Sequence, residues 1–68
     1  MKPRKVSAYR RAIDWNQKEV ADALGISIDA YSKKERGISE FKESEMIKFT
    51  KLINDYGKIA TTEDIFFD

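Results

Sequence analysis

The sequence has no cysteine, no histidine, a single proline and no long hydrophobic run. The missing cysteine and histidine exclude disulfides, thiolate chemistry, the usual zinc sites and the usual proton carrier at neutral pH. No apolar stretch approaches the roughly 20 residues that span a bilayer, and residues 1–5 are not followed by an apolar leader segment. These absences predict a cytoplasmic protein with no cofactor, no metal and no membrane association.

The charge is distributed unevenly along a short chain. With 68 residues, of which 41% are hydrophobic, we expect one domain over residues 1–68 that is marginally stable or dimeric. Residues 1–38 hold nine Lys and Arg against five Asp and Glu, whereas residues 39–68 hold four against seven. Such a separation would steer a nucleic-acid duplex to one side of the domain, although ordinary solvated charge is the alternative.

Residues 16–37 predict two short helices joined by a tight turn. Asn16 and Glu19 have the spacing of a capping box at the start of the first of these helices. Gly25 can end it with a left-handed backbone, and Ser27 can cap the next helix, expected over residues 28–35. Four residues fall along one stripe of the first helix of the pair, at the spacing i, i+3, i+4 and i+7: Gln17, Val20, Ala21 and Leu24.

This segment resembles the Cro/lambda-repressor-like, or XRE-like, helix-turn-helix family, and the likeness extends over roughly residues 5–53. The residues that carry it are Arg10, Trp15, Gln17, Val20, Ala21, Leu24, Gly25, Ile26, Ser27, Tyr31, Ser32, Glu35 and Gly37. The resemblance implies an all-α, five-helix domain that places its third helix in a DNA major groove. It implies a sequence-specific transcription regulator of double-stranded DNA, which we interpret as a phage or mobile-element repressor.

With Tyr31 buried, the third helix would expose four side chains, because residues four positions apart lie on one face. They are Ile28, Asp29, Ser32 and Lys33. Lys33 can donate to guanine, and Ser32 can donate or accept. Ile28 can pack on a thymine methyl group, and Asp29 can accept from cytosine or can simply stabilise the helix N-terminus. We expect these four side chains to contact base edges.

Contacts with the DNA backbone are expected from polar and basic side chains around the two helices. They are Gln17, Ser27, Lys34, Arg36 and Lys42. Lys34 would extend its ammonium past the edge of the core to a phosphate. The basic lead at residues 2–5 is either an arm on the DNA backbone or a frayed terminus.

Arg10 falls beside the apolar stripe of the first helix, where an unpaired charge would be costly. In the family, an arginine at this position pairs with the glutamate that closes the third helix, so the resemblance implies an Arg10–Glu35 ion pair. We expect this pair to fix the crossing of the two helices.

The apolar spacing also predicts a first helix over residues 5–14 and a fourth helix from Ser39, or just after it, to Gly57. The apolar residues assigned to the fourth helix are Phe41, Met46, Phe49, Leu52, Ile53 and Tyr56. Thr61 or Thr62 is expected to cap a last turn over residues 63–67. Trp15 is interpreted as a core side chain rather than a base-stacking one.

Ile65, Phe66 and Phe67 cannot all be buried in one small domain, so we expect exposed aromatic surface near this end of the sequence. Tyr56, Phe66 and Phe67 are the candidate contacts of a homodimer, with packing in the domain's own core as the alternative. Such a dimer would place two third helices about 34 Å apart, on consecutive major grooves.

The sequence is also compatible with other functions. The same scaffold can serve as a protein-interaction module or an antitoxin, with the acidic half and the Ile28/Asp29 face binding a protein partner. We do not expect an enzyme, because the sequence shows no nucleophile–base pair, metal cluster or phosphate loop. Glu40, Glu43 and Glu45 are interpreted as solvated charge on the fourth helix.

Overall fold

The computed structural model describes residues 5–67, so that residues 2–4 of the basic lead lie outside the described part of the chain. Between residues 5 and 67 five helices and no strand occur. They are α1 (Val6–Ala12), α2 (Gln17–Leu24), α3 (Ile28–Glu35), α4 (Glu43–Asp55) and α5 (Thr62–Phe66). The prediction of an all-α fold with five helices is confirmed.

The two central helices begin and end where their caps predicted. The Asn16 side chain accepts the Glu19 N–H, and the Glu19 carboxylate accepts the Asn16 N–H, both at 2.8 Å, so the capping box is complete. Gly25 ends α2 with a left-handed backbone, at φ 76°. The Ser27 hydroxyl accepts the Ala30 N–H at 3.1 Å and thereby caps α3. Three residues therefore separate α2 from α3, as expected for a tight turn.

The core lies where α2 supports both α3 and α4, while α5 closes it by packing on α4 and α1. The largest fully buried side chains are Tyr31, Phe49, Ile53, Ile65, Val6 and Val20. Trp15 is partly buried against this core, and its ring meets that of Tyr56 edge-on at 5.3 Å between centroids. Trp15 thus packs on the core, in agreement with its interpretation from the sequence.

The fourth helix begins at Glu43, so the prediction of a start near Ser39 was wrong. Phe41 lies in the non-helical segment before α4, and not on the helix itself. From there its buried ring packs edge-on against the rings of Tyr31 and Phe66, at 6.2 and 5.1 Å. We attribute the later start to this burial, because placing a large aromatic ring in the core outweighs a local helical preference.

The other helix boundaries lie closer to their predicted positions than the start of α4 does. α1 is shorter than predicted and ends at Ala12. α4 was predicted to run to Gly57 and ends at Asp55, two residues earlier, while Gly57 itself has a left-handed backbone at φ 85°. Of the two candidate caps of α5, Thr61 is the one used, since its hydroxyl accepts the Asp64 N–H at 3.1 Å. None of the helices between residues 5 and 67 is long and apolar enough to cross a membrane.

Candidate nucleic-acid interface

The outward side of α3 carries the four side chains expected to contact bases. Tyr31 is fully buried, so one side of the helix is fixed against the core. Ile28 is 46% exposed, Asp29 and Lys33 are exposed, and Ser32 is half-buried. The structure therefore brings these four residues together on one surface of a helix that is anchored from behind. A helix presented in this way fits the major groove of B-DNA, which is about 12 Å wide.

The chemistry of this outward face is mixed. Lys33 and Asp29 have no ion-pair partner among residues 5–67, so both charges are available to a ligand. Asp29 also lies in the first turn of α3, where a carboxylate interacts favourably with the positive end of the helix dipole. An exposed isoleucine beside these charges adds an apolar contact. The face can thus distinguish donors, acceptors and methyl groups.

Two of the expected phosphate contacts lie at the segment that leaves α3. Arg36 is exposed directly after the helix, where its Nε donates a long 3.4 Å hydrogen bond to the Ser32 carbonyl oxygen. Lys42 is exposed directly before α4. Gly37, at φ 84°, turns the chain between them in a left-handed conformation that glycine adopts at little steric cost. The two cations therefore flank the connection between α3 and α4.

The other two polar candidates lie at helix starts. Ser27 uses an oxygen lone pair to cap α3, and its O–H remains able to donate to a phosphate. Gln17 is the first residue of α2, and one N–H of its side-chain amide donates to Glu35 at 2.8 Å. An amide nitrogen has two N–H groups, so the second can still donate to an anion.

Lys34 is placed differently from its expected role. Its Nζ lies 2.6 and 2.7 Å from the two carboxylate oxygens of Glu45, and the side chains are only 11% and 6% exposed. The ammonium therefore points to the first turn of α4, and not past the edge of the core to a phosphate. The expected phosphate contact of Lys34 is corrected accordingly. The reading of Glu45 as solvated charge is corrected as well.

Glu45 serves more than one partner. Its Oε1 also accepts the backbone N–H of Lys42 at 2.8 Å, and Lys42 cannot return a side-chain bond because an ammonium has no acceptor. Burial by itself would raise the pKa of Glu45. The hydrogen bonds from Lys34 and from the Lys42 N–H outweigh burial and hold that pKa below its ordinary value.

Arg10 and Glu35 are paired between α1 and the end of α3. Arg10 Nε donates to Glu35 Oε2 at 2.8 Å, and Nη2 donates to Oε1 at 3.4 Å. Its Nη1 donates to the Trp15 carbonyl oxygen at 2.8 Å. The guanidinium is thus satisfied on three sides, as a buried charge requires. The structure brings together the pair that the family resemblance implied.

Two further partners of Glu35 were missed in the sequence. The Tyr31 hydroxyl donates to Oε2 at 2.7 Å, and the Gln17 amide donates to Oε1. Tyr31 is four residues before Glu35 on the same helix, which is a spacing that could have indicated the contact. Gln17 is far away in sequence, and only the packing of α2 on α3 brings it close.

The network around Glu35 favours its charged form. Burial alone would raise the pKa of Glu35, but hydrogen bonds from Arg10, Tyr31 and Gln17 lower it below its ordinary value. The hydrogen bond to Glu35 raises the pKa of Arg10. Burial raises the pKa of the Tyr31 phenol, and the hydrogen bond to Glu35 raises it further. Arg10, Tyr31 and Glu35 are therefore held in the protonation states that hydrogen-bond one another at neutral pH.

The three candidate dimer residues do not share one environment. Phe66 is only 8% exposed, and its ring packs edge-on against those of Phe41 and Phe49, so it belongs to the core. Its assignment as a dimer contact is corrected for this reason. Tyr56 and Phe67 are 53% and 67% exposed and remain available to a partner.

The comparisons with known proteins agree with this geometry. A model of the Helix-turn-helix family matches residues 6–56, which run from the start of α1 to the residue after α4. No curated protein and no solved structure matches the chain at a significant level. The matched segment contains the two capped helices, the buried pair behind them and the outward face of α3. The chain therefore belongs to the Cro/lambda-repressor-like (XRE-like) helix-turn-helix family of DNA-binding regulators.

Proposed function

We propose that this protein binds a specific double-stranded DNA operator and regulates transcription by occupying it, as a repressor of phage or mobile-element type. The observation that supports the proposal is the outward face of α3, where Ile28, Asp29, Ser32 and Lys33 lie on the side opposite the buried Tyr31. Repression by occupancy requires no bond to be made or broken, and hence no cofactor.

In the proposed complex α3 lies in the major groove. Lys33 donates to the O6 and N7 atoms of a guanine, and Ser32 donates to or accepts from a neighbouring base. Ile28 packs on a thymine methyl group, and Asp29 accepts from a cytosine amino group. This combination gives the preference for one operator over other sequences.

Contacts with phosphates position the helix along the duplex. Arg36 and Lys42 supply charge beside the end of α3, and Gln17 and Ser27 supply N–H and O–H donors at the helix starts. Each phosphate that a cation neutralises releases counterions, so the logarithm of the binding constant falls linearly with the logarithm of the salt concentration. Arg36→Ala is expected to reduce that slope by about one without changing the preferred sequence.

We also propose that two copies bind as a two-fold dimer, whose α3 helices enter consecutive major grooves about 34 Å apart. The exposed side chains of Tyr56 and Phe67 support this part of the proposal. Phe67→Ala is expected to weaken self-association, measured by sedimentation, while leaving the melting temperature of the monomer unchanged. A dimer that is equally strong in this variant would contradict the assignment.

The proposal is tested by selecting bound sequences from a pool of random duplexes and titrating the selected duplex in a gel shift at several salt concentrations. The expected result is two symmetric half-sites about 10 base pairs apart, with affinity that falls steeply as salt rises. Absence of any shift at low salt would contradict DNA binding by this chain.

A protein-interaction module or antitoxin is the second candidate function. The observation that favours it is the exposure of Ile28 beside Asp29, since an apolar side chain next to an acid is a less usual surface for DNA than for protein. For an interaction module that does not bind DNA, the gel shift fails at every salt concentration, whereas an antitoxin that also represses its operon would bind both DNA and a protein partner.

A further inference from the structure

The contact between Lys34 and Glu45 joins the recognition helix to α4. Lys34 is the last residue but one of α3, and Glu45 lies in the first turn of α4. The packing of α3 is mainly against α2, so this ion pair supplies a direct polar link to a different helix. It lies within one residue of Lys33, the side chain best suited to contact guanine.

The same carboxylate also fixes the segment that follows α3. Glu45 binds the Lys34 ammonium through both oxygens and accepts the Lys42 N–H through one of them. The connection between these points contains Arg36 and ends at Lys42, the two cations placed beside the end of the helix. One buried group thereby sets the spacing between the base-contacting and the phosphate-contacting residues.

We propose that Lys34 and Glu45 are positioning residues for DNA recognition, which set the register between Lys33 on α3 and the cations Arg36 and Lys42. The proposal rests on the function proposed above, since it concerns how operator sequences are distinguished. Neither Lys34 nor Glu45 contacts DNA itself. Their effect is exerted through the orientation of the last turn of α3.

An ion pair and an apolar contact at this place would hold the two helices in different ways. A buried ion pair adds little net stability over well-packed apolar side chains of similar volume. Hydrogen bonds of 2.6 and 2.7 Å to a carboxylate, however, fix both distance and direction. An apolar contact is non-directional and does not fix the register of neighbouring helices in this way. Shifts of about 1 Å are enough to disable a precisely built recognition site.

The first test is the double variant Lys34→Met/Glu45→Leu, which removes one positive and one negative charge and so keeps the net charge at +1. Its affinity for the selected operator and for a random duplex of equal length is measured at one salt concentration. We expect the ratio of the two affinities to fall about tenfold, which is comparable to the loss of one base-pair contact. Binding to the random duplex should stay within about twofold, because the charge that governs it is unchanged.

The second test is Glu45→Gln, which keeps the side-chain volume and an oxygen that can accept the Lys42 N–H. It raises the net charge from +1 to +2, so simple electrostatic attraction would strengthen binding to both duplexes. The positioning role predicts tighter binding to the random duplex together with a lower ratio. Asp55→Asn is the matched control, since it makes the same charge change at the exposed Lys51–Asp55 pair of α4 and should leave the ratio unchanged.

The outcomes separate the two proposals. A wild-type protein that does not discriminate between the duplexes overturns the proposed function and this inference together. A discriminating wild type with a ratio that stays within twofold in folded Glu45→Gln and in the double variant overturns the inference alone. If circular dichroism shows that the double variant is unfolded, the affinity ratio of Glu45→Gln alone tests the inference. If both are unfolded, the pair serves stability and the inference is also overturned.

Discussion

The inward and outward sides of α3 differ in almost every physical respect. On the inward side Tyr31, Lys34 and Glu35 are enclosed, and each makes a short hydrogen bond to another buried group. On the outward side Asp29 and Lys33 are exposed, without ion-pair partners among residues 5–67. The two sides of the eight-residue helix α3 therefore differ in role: one is held in the core, and the other is open to a ligand. Substitutions on the inward side should change stability, and those at Lys34 and its partner Glu45 should change discrimination as well. Substitutions on the outward side should change binding alone.

Two buried carboxylates lie behind α3, Glu35 on the helix itself and Glu45 on α4, and their partners are not equivalent. Glu35 is paired with an arginine, which cannot lose its proton and has a planar, rigid donor group. Glu45 is paired with Lys34, whose long stem can carry the ammonium toward solvent if the partner is lost. The first pair should therefore be the more costly one to break.

The largest effect is expected from Glu35→Leu. Removing the carboxylate leaves the Arg10 charge buried and unpaired, which costs about 3–5 kcal/mol. For a domain of this size the Tm should fall by more than about 10 °C in a circular dichroism melt. The double variant Arg10→Met/Glu35→Leu should recover part of this loss. Simple additivity of the two single losses would show that the residues do not act as a pair.

A smaller loss of stability is expected from Glu45→Leu. Breaking a buried hydrogen-bonded pair costs about 1–3 kcal/mol, and the flexibility of Lys34 keeps the loss toward the lower end. The free energy of unfolding in urea measures it. If Glu45→Leu lowered the free energy of unfolding as much as Glu35→Leu, the expectation that the arginine pair is more costly to break than the lysine pair would be wrong.

On the outward side, Lys33→Ala is expected to change discrimination and leave stability alone. Loss of a guanine contact costs about 1–3 kcal/mol of preference for the right base, whereas the unfolding free energy should change by less than about 0.5 kcal/mol. Affinities for the selected duplex and for single-base variants of it measure the preference. A Tm that fell together with the base preference would contradict the assignment of Lys33 to binding rather than to stability.

The pH dependence of stability should come from the inward side. The pKa values of Glu35 and Glu45 are lower in the folded chain than their ordinary values, near 4.3 for a free glutamate. Their stabilising contribution is complete above that value and is lost as the pH falls through the lower folded values. The free energy of unfolding should therefore decrease below about pH 4. Arg10→Met/Glu35→Leu should show a shallower decrease than the wild type, and an equal slope would contradict the assignment to Glu35.

The helix boundaries that are set by hydrogen bonds between residues close in sequence could be predicted from the sequence. Asn16, Glu19, Gly25 and Ser27 define the ends of α2 and α3 through bonds spanning at most five residues, so their spacing alone was sufficient. The family resemblance supplied the pairing of Arg10 with a distant glutamate, which no local rule predicts.

The remaining features depend on packing between distant segments. Phe41 keeps helical spacing with α4, yet it lies in the non-helical segment before that helix, and its ring packs in the core between Tyr31 and Phe66. The sequence did not indicate which of the adjacent residues Phe66 and Phe67 faces inward. Lys34 was expected to reach a phosphate because its actual partner, Glu45, is 11 residues away, across a loop.

The most direct test of the outward face of α3 is the ratio of two dissociation constants for the wild-type protein at one salt concentration. The first is for the selected duplex, and the second is for a random duplex of the same length. The account predicts that the selected duplex binds at least about a thousandfold more tightly. Equal dissociation constants would contradict it.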